Sequence, residues 1–285
     1  MKLNPESLYA PTLTEAEIQR CRNKVEQAAY GTGLLVDANN VMYRMAFAVS
    51  KEVSTTAEML AVFVDKVKCA AHEVGAEVVV CAIDHGVPLR RSMLGAKKKP
   101  DKTPEQEAVI ELARGALHLL RDGLSAGAKY PYLNPFYMDG YEADDIVAAF
   151  AVSNLFAHAV IYSTDSDLYQ VTNGSGVTQL SPSTGRFLVS EVPPFLVPGV
   201  KALAGDSSDS IAGLPGVGPK TALDILTGKK TLDLEKAQIA QVCNDVLLTA
   251  LPFPGSFNAL NNVKLVLLPP PQLESGNEED EVLPF

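Results

Sequence analysis

Three apolar runs in this chain each stop at an aspartate. Leu34-Leu-Val36 ends at Asp37, Glu77-Val-Val-Val-Cys-Ala-Ile83 ends at Asp84, and Ala159-Val-Ile-Tyr-Ser163 ends close to Asp165. Runs without polar alternation are strands buried on both faces, the condition of a parallel sheet covered by helices. The segments between them have helical spacing. Met59, Val62, Phe63 and Val67 line one face of 55–74. A further helix opens at Thr103-Pro-Glu-Gln106, where Thr caps, Pro fits the first turn and Gln returns the bond. Strands alternating with helices predict an α/β fold with a mainly parallel sheet flanked by helices.

In such a sheet the carboxyl edge is where ligands bind, and all three aspartates fall on it. Asp167 follows Asp165 by two residues, and a helix opening Glu142-Ala-Asp144-Asp145 adds three more acids. Helical spacing puts Glu142 and Asp145 on one face and turns Asp144 partly aside. Taken singly, an Asp after a strand is a turn former or a helix cap, and acids in a first turn complement the helix dipole. Converging together, like charges raise one another's pKa unless a cation neutralises them. Oxygen ligands without a His or Cys motif favour a hard octahedral ion, Mg²⁺ or Mn²⁺, over Zn²⁺. His85, beside Asp84, reads as a loop residue.

The net charge of −10 argues against nucleic acid only until the acids are located. Nine of the 34 acids belong to the groups in and after the strands and in the segment after 200, and five to the C-terminal tail. That leaves 20 against 24 Lys and Arg. The four cysteines are dispersed with no CxxC pair, which suggests neither a disulfide framework nor a zinc site. No apolar run reaches membrane-span length and the acidic first thirty residues are no leader, so a cytoplasmic protein without a membrane partner is expected.

The expected organisation is a helical extension at 1–30 with its helix over 14–29, then a body at 31–198. A helical segment at 199–268 and a disordered acidic tail at 269–285 follow. A turn-rich stretch at 173–198 separates body from helical segment. Within the body, 85–104 is a long basic loop with Arg90, Arg91, Lys97, Lys98, Lys99 and Lys102. The helical segment carries Asp206 and Asp209, then Gly213-Leu-Pro-Gly216-Val217-Gly218-Pro-Lys220-Thr221. Pro219 breaks the Gly-Lys-Ser/Thr order of a nucleotide-binding P-loop. Exposed backbone N–H groups at a helix start, with Lys beside them, suit a single backbone phosphate instead.

Taken in order, YEADD, STDSD and GDSSDSIAGLPGVGPKTA are similar to the blocks of the 5′-nuclease family of flap endonucleases and 5′→3′ exonucleases. The resemblance runs from Leu34 to Leu226 and is closer to stand-alone phage-type enzymes than to polymerase-fused domains. It implies a PIN-like (resolvase-like) sheet with an attached helix-three-turn-helix DNA-binding element. It implies two metal sites, one near Asp37, Asp84, Glu142 and Asp144, the other near Asp145, Asp165, Asp167, Asp206 and Asp209. It leaves room for a monovalent cation at the helix-three-turn-helix element. DNA contacts fall to Gly213, Gly216, Val217, Gly218, Lys220 and Thr221, with Arg91, Lys99 and Lys102 from the loop. Arg90, Lys97 and Lys98 are the loop's catalytic candidates. The family's Lys and, three residues later, Arg are not restored: one register gives Lys98 and Asp101, the other Lys97 and Pro100.

The implied function is structure-specific cleavage of branched or 5′-ended DNA with two ions per site, by a monomer. A PIN-type ribonuclease would share the acidic edge without needing the Gly-rich element, and a non-catalytic DNA-binding protein would have lost acids. The tail ends in four acids followed by Val-Leu-Pro-Phe285. It resembles the docking tip of bacterial single-stranded-DNA-binding proteins, implying a replication-protein partner; a solvated end is the other reading.

Overall fold

The computed structural model describes residues 28–89, 92, 102–125, 133–172 and 176–251. The expected N-terminal helix lies outside them apart from Ala28 and Ala29, which are not helical, and the C-terminal tail lies wholly outside them. Strand β1 (Tyr30–Asp37) leads into α1 (Ala38–Val49) and α2 (Thr56–Glu73), then β2 (Val78–Ala82). Helix α3 (Pro104–Ser125), β3 (Leu133–Phe136), α4 (Ala143–Val152) and β4 (Phe156–Tyr162) follow. A 3₁₀ turn at Asp167–Gln170 precedes β5 (Val177–Leu180) and β6 (Phe187–Leu188). Beyond them lie a second 3₁₀ turn, Pro194–Leu196, and helices α5 (Val197–Ala204), α6 (Pro219–Leu226) and α7 (Lys236–Thr249).

The sheet order is β3-β2-β1-β4-β5-β6, parallel throughout except for β6, which pairs antiparallel with β5. The chain adds strands to one side of β1, then crosses through α4 to lay β4 on the other side. The order therefore reverses between β1 and β4, and the crevice at their carboxyl ends is where open α/β sheets bind ligands.

Strand alternation divides the core. Leu34, Val36, Val79, Cys81, Val160 and Tyr162 face α1, α2 and α3. Leu35, Val78, Val80, Ala82, Ala159 and Ile161 face α4. Cys81 is fully buried, and burial raises its thiol pKa, as befits a small core residue. A smaller cluster of Val200, Leu203, Val217 and Ala222 holds α5 to α6. Among the described residues no helix is long and apolar enough to cross a membrane.

The cap read from sequence at Thr103 forms, and α2 has one that was not read. Thr55 and Glu58 make a reciprocal capping box on α2. Thr103 and Gln106 do the same on α3, at 3.0 and 3.3 Å. The stretch 173–198 is more than a connection, because it supplies β5 and β6. Buried Gln179 on β5 donates to the carbonyls of Ser163 and Asp165, at 3.0 and 2.7 Å, and so fixes the exit from β4.

Helix α4 carries acids in its first turn and presses Phe150 edge-on against Phe136, with ring centroids 5.2 Å apart. Phe150 is fully buried. Truncation by Phe150→Ala should cost about 3–5 kcal/mol in urea unfolding, because the sheet cannot close over the void. A loss under about 1 kcal/mol would mean that α4 is not anchored by this contact.

Candidate metal centre

Each acid at the sheet edge is held by a hydrogen bond, Asp37 and Asp84 by groups from distant parts of the chain. Asp37 ends β1 and caps α1: one oxygen accepts from the Asn40 N–H at 3.0 Å, the other from the Ser163 hydroxyl at 3.0 Å. The helix-cap role and a site role thus fall on one side chain. Asn40 accepts from the N–H and hydroxyl of Thr164, at 3.1 and 3.0 Å, latching the turn after β4 to the start of α1. Asp84 donates its N–H to Asn39 and accepts from the Ala143 N–H at 2.7 Å, so it caps α4 from a distant part of the chain. Asp165 accepts from the N–H of Asp167 at 2.9 Å and opens the 3₁₀ turn that carries it.

The result is a cavity of about 240 Å³ bordered by Asp37, Asp84, Glu142, Asp144, Asp165, Asp167 and Asp209, with Asn39, Asn40 and Tyr43. Two trios have carboxylate oxygens within 4.8 Å of one another: Glu142, Asp144 and Asp145, and Asp167, Asp206 and Asp209. Every acid named from the sequence borders the cavity or belongs to a trio. Asp145, grouped by resemblance with the second set, here lies with Glu142 and Asp144. Helical spacing turned Asp144 aside, yet it joins both neighbours. The reason is local: Glu142 is the residue before the helix, in extended backbone at φ −83° and ψ 158°, so the 100° step does not apply to it.

Asp206 and Asp209 sit in a loop closed by the bridge between Asp206 and Ile211. The loop ends cross at Gly205 and Gly213, both at positive φ. A Cβ on Gly213 would lie 2.4 Å from the Gly205 nitrogen, so the crossing requires glycine there. This gives Gly213 a structural reason that the sequence reading did not supply. Val217 is likewise taken inward, its side chain buried and its N–H donated to the Leu214 carbonyl at 3.1 Å. Neither group of Val217 is therefore free for a phosphate. Gly216, Gly218 and Lys220 are exposed, with Gly218 capping α6, and Thr221 is half-buried.

Arg90, Arg91, Lys97, Lys98 and Lys99 lie outside the described residues. Lys102 is described and exposed; with Tyr43, Phe47, Gln106, Ile110 and Arg114 it lines a second cavity of about 390 Å³. That cavity shares Tyr43 with the acidic one. Arg114, His118 and Arg121 of α3 line a recess that reaches Asp84. Sequence reasoning missed these residues, since polar groups on an amphipathic helix read as its solvated face.

It also missed Lys201. This ammonium on α5 pairs with Asp167 and, at 2.6 Å, with Asp206, and its side chain is 12% exposed. Burial disfavours its charge, but Asp167 and Asp206 outweigh that and hold its pKa above the ordinary lysine value. Burial pushes Asp37 up to about 7, with Asp165 and Asp84 adding repulsion against the opposing bonds from Asn40 and Ser163. Burial also raises Asp167, against the pull of Lys201. Asp206 is shifted down, because Lys201 and Ser208 overcome its partial burial. The site thus holds acids that resist ionising without a cation.

Residues 32–192 match the family described as 5′-3′ exonuclease, N-terminal resolvase-like domain. A 5′-3′ exonuclease of Mycoplasma genitalium is 28% identical over 229 residues, covering 70% of this chain and 73% of that protein. One of Halalkalibacterium halodurans is 35% identical over 145 residues, covering 47% and 45%. The fold is similar to a bacteriophage T5 flap endonuclease crystallised as a pseudo-enzyme–product complex with DNA and metal ions. The TM-score is 0.61 at 20% identity, over 78% of this chain and 89% of that one. A reversing parallel sheet with acids at its carboxyl edge, and a family match spanning more than half the sequence, lead to one conclusion: this chain belongs to the 5′-3′ exonuclease family through its resolvase-like domain.

Proposed function

We propose that this chain is a divalent-metal-dependent 5′-nuclease hydrolysing phosphodiester bonds in branched or 5′-ended DNA, by 5′-flap endonuclease and 5′→3′ exonuclease action. The carrying observation is the pair of carboxylate trios beside one cavity at the sheet's reversal point. The donor set fits two hard divalent ions, Mg²⁺ or Mn²⁺: it is wholly carboxylate, and buried acids with raised pKa values gain from a cation. Glu142, Asp144 and Asp145 would hold one ion and Asp167, Asp206 and Asp209 the other, with Asp37, Asp84 and Asp165 between. Such ions supply charge stabilisation at the transferring phosphate and a more acidic attacking water.

The remaining roles belong to the chain. Ser163, Asn39 and Asn40 fix the edge acids or the turns that carry them, so the site is organised before substrate arrives. Arg114 and Arg121 border the recess at Asp84 and Lys102 the neighbouring cavity, and they would draw in a single strand together with Arg90, Arg91 and Lys97 to Lys99. Gly216, Gly218, Lys220 and Thr221 at the start of α6 would grip duplex through its backbone phosphates, reading structure more than sequence. A monovalent cation would sit at that loop. The acidic tail would dock a replication protein, and the enzyme would act as a cytoplasmic monomer. Nothing observed favours a ribonuclease or a non-catalytic reading, and none of the nine acids is missing.

Asp84→Asn and Asp165→Asn each keep an oxygen for their backbone contacts but remove a charge from the site. Each should lower Mg²⁺-dependent cleavage of a 5′-flap substrate on the order of 100-fold or more while flap binding persists. Wild-type turnover in both variants would contradict the site. Lys220→Ala should weaken duplex binding alike across sequences and flatten its salt dependence by about one phosphate contact. An unchanged salt slope would remove Lys220 from the interface.

A further inference from the structure

Lys201 is the least expected charge in the site. It stands on α5, whose apolar residues Val200 and Leu203 are packed into the small helical cluster, yet its ammonium reaches out of that cluster to the sheet edge. There it pairs with Asp167 of the 3₁₀ turn after β4 and with Asp206 of the loop after α5. Asp167 and Asp206 are two of the three members of the second trio, and the third, Asp209, is within 4.8 Å of both.

We infer that Lys201 is an internal counter-ion of the second trio: it holds Asp167 and Asp206 together in the metal-free protein and yields their oxygens when a divalent ion binds. The inference rests on the reading of this trio as a metal site. Two observations support it. The Lys201 side chain is mostly buried at 12% exposure, and its ammonium is paired with both acids, so it is committed to them more than to solvent. It also bridges two separate elements, the turn leaving the sheet and the α5–α6 loop. Without it, nearby carboxylates from different segments would push them apart. A divalent ion brings twice the charge to the same oxygens and repels an ammonium a few ångströms away, so both cannot keep full contact. Lys201 therefore weakens the second site for its ion and, in exchange, keeps that site assembled before the ion arrives. It is a positioning residue for the acids, not a catalytic one.

The test uses the full-length protein without DNA. Mn²⁺ binding is measured by calorimetry for the wild type, Lys201→Met, which keeps the stem without the charge, and Lys201→Arg, which restores it. Lys201→Met should melt at a lower temperature in chelator, gain more on adding Mn²⁺, and bind one Mn²⁺ about tenfold more tightly, a difference read directly through linkage. Lys201→Arg should return both properties towards the wild type. Wild-type or weaker Mn²⁺ affinity in Lys201→Met would overturn the inference while leaving the metal site standing. If the wild type bound no Mn²⁺, the metal reading and this one would fall together. A measurement on the wild type serves even if Lys201→Met does not fold. The Lys201 amine should be protected from reductive methylation in chelator and become several-fold more reactive in saturating Mg²⁺, as mass spectrometry would show. Equal reactivity in both conditions would overturn the inference.

Discussion

Like charges gathered at one sheet edge are the constraint around which this molecule is organised. Two carboxylates 4 Å apart repel by about 4 kcal/mol at the dielectric of a protein surface. Here two trios stand within 4.8 Å internally, and Asp37, Asp145 and Asp167 are almost entirely buried. The fold meets that cost with rigidity. A parallel sheet buried on both faces delivers Asp37 and Asp84 at fixed positions. Helix α4 starts on the Asp84 carboxylate, and Ser163, Asn40 and Gln179 fasten the turn that carries Asp165 and Asp167. Lys201 offsets part of the negative charge at one trio, and acids gathered so closely make a site built to take further cations.

The helical segment after the sheet brings the last two acids by a different device. Gly205 and Gly213 let the backbone cross itself, which closes the loop holding Asp206 and Asp209. Lys201 draws that loop against the sheet through Asp167. Glycines that look like a phosphate-binding signature thus divide in role. Gly213 serves the crossing, while Gly216 and Gly218 stay open towards solvent at the start of α6.

Much of this was legible in the sequence, and the failures have local causes. The three apolar runs became β1, β2 and β4, because short, β-branched-rich runs of uniform hydrophobicity suit strands buried on both faces. The cap at Thr103 formed because its partner Gln106 is three residues away and needs no tertiary help. The strands β3, β5 and β6 went unread. Leu133–Phe136 contains Asn134 and Pro135, tolerable there because β3 is an edge strand, and Phe187–Leu188 is only two residues long. Val177–Leu180 hides Gln179, whose buried amide is spent on carbonyls far away in sequence. Asp144 was turned aside by a helical rule applied to Glu142, which stands outside the helix. Lys201 was invisible because a single lysine in Val197–Ala204 reads as a solvated face until the sheet edge is placed beside it.

Occupancy of the two carboxylate trios by divalent ions is read out by an anomalous-scattering map from crystals of the protein soaked in Mn²⁺. Two peaks are predicted, one bounded by Glu142, Asp144 and Asp145 and the other by Asp167, Asp206 and Asp209. A map with no peak in either trio at saturating Mn²⁺ would contradict it.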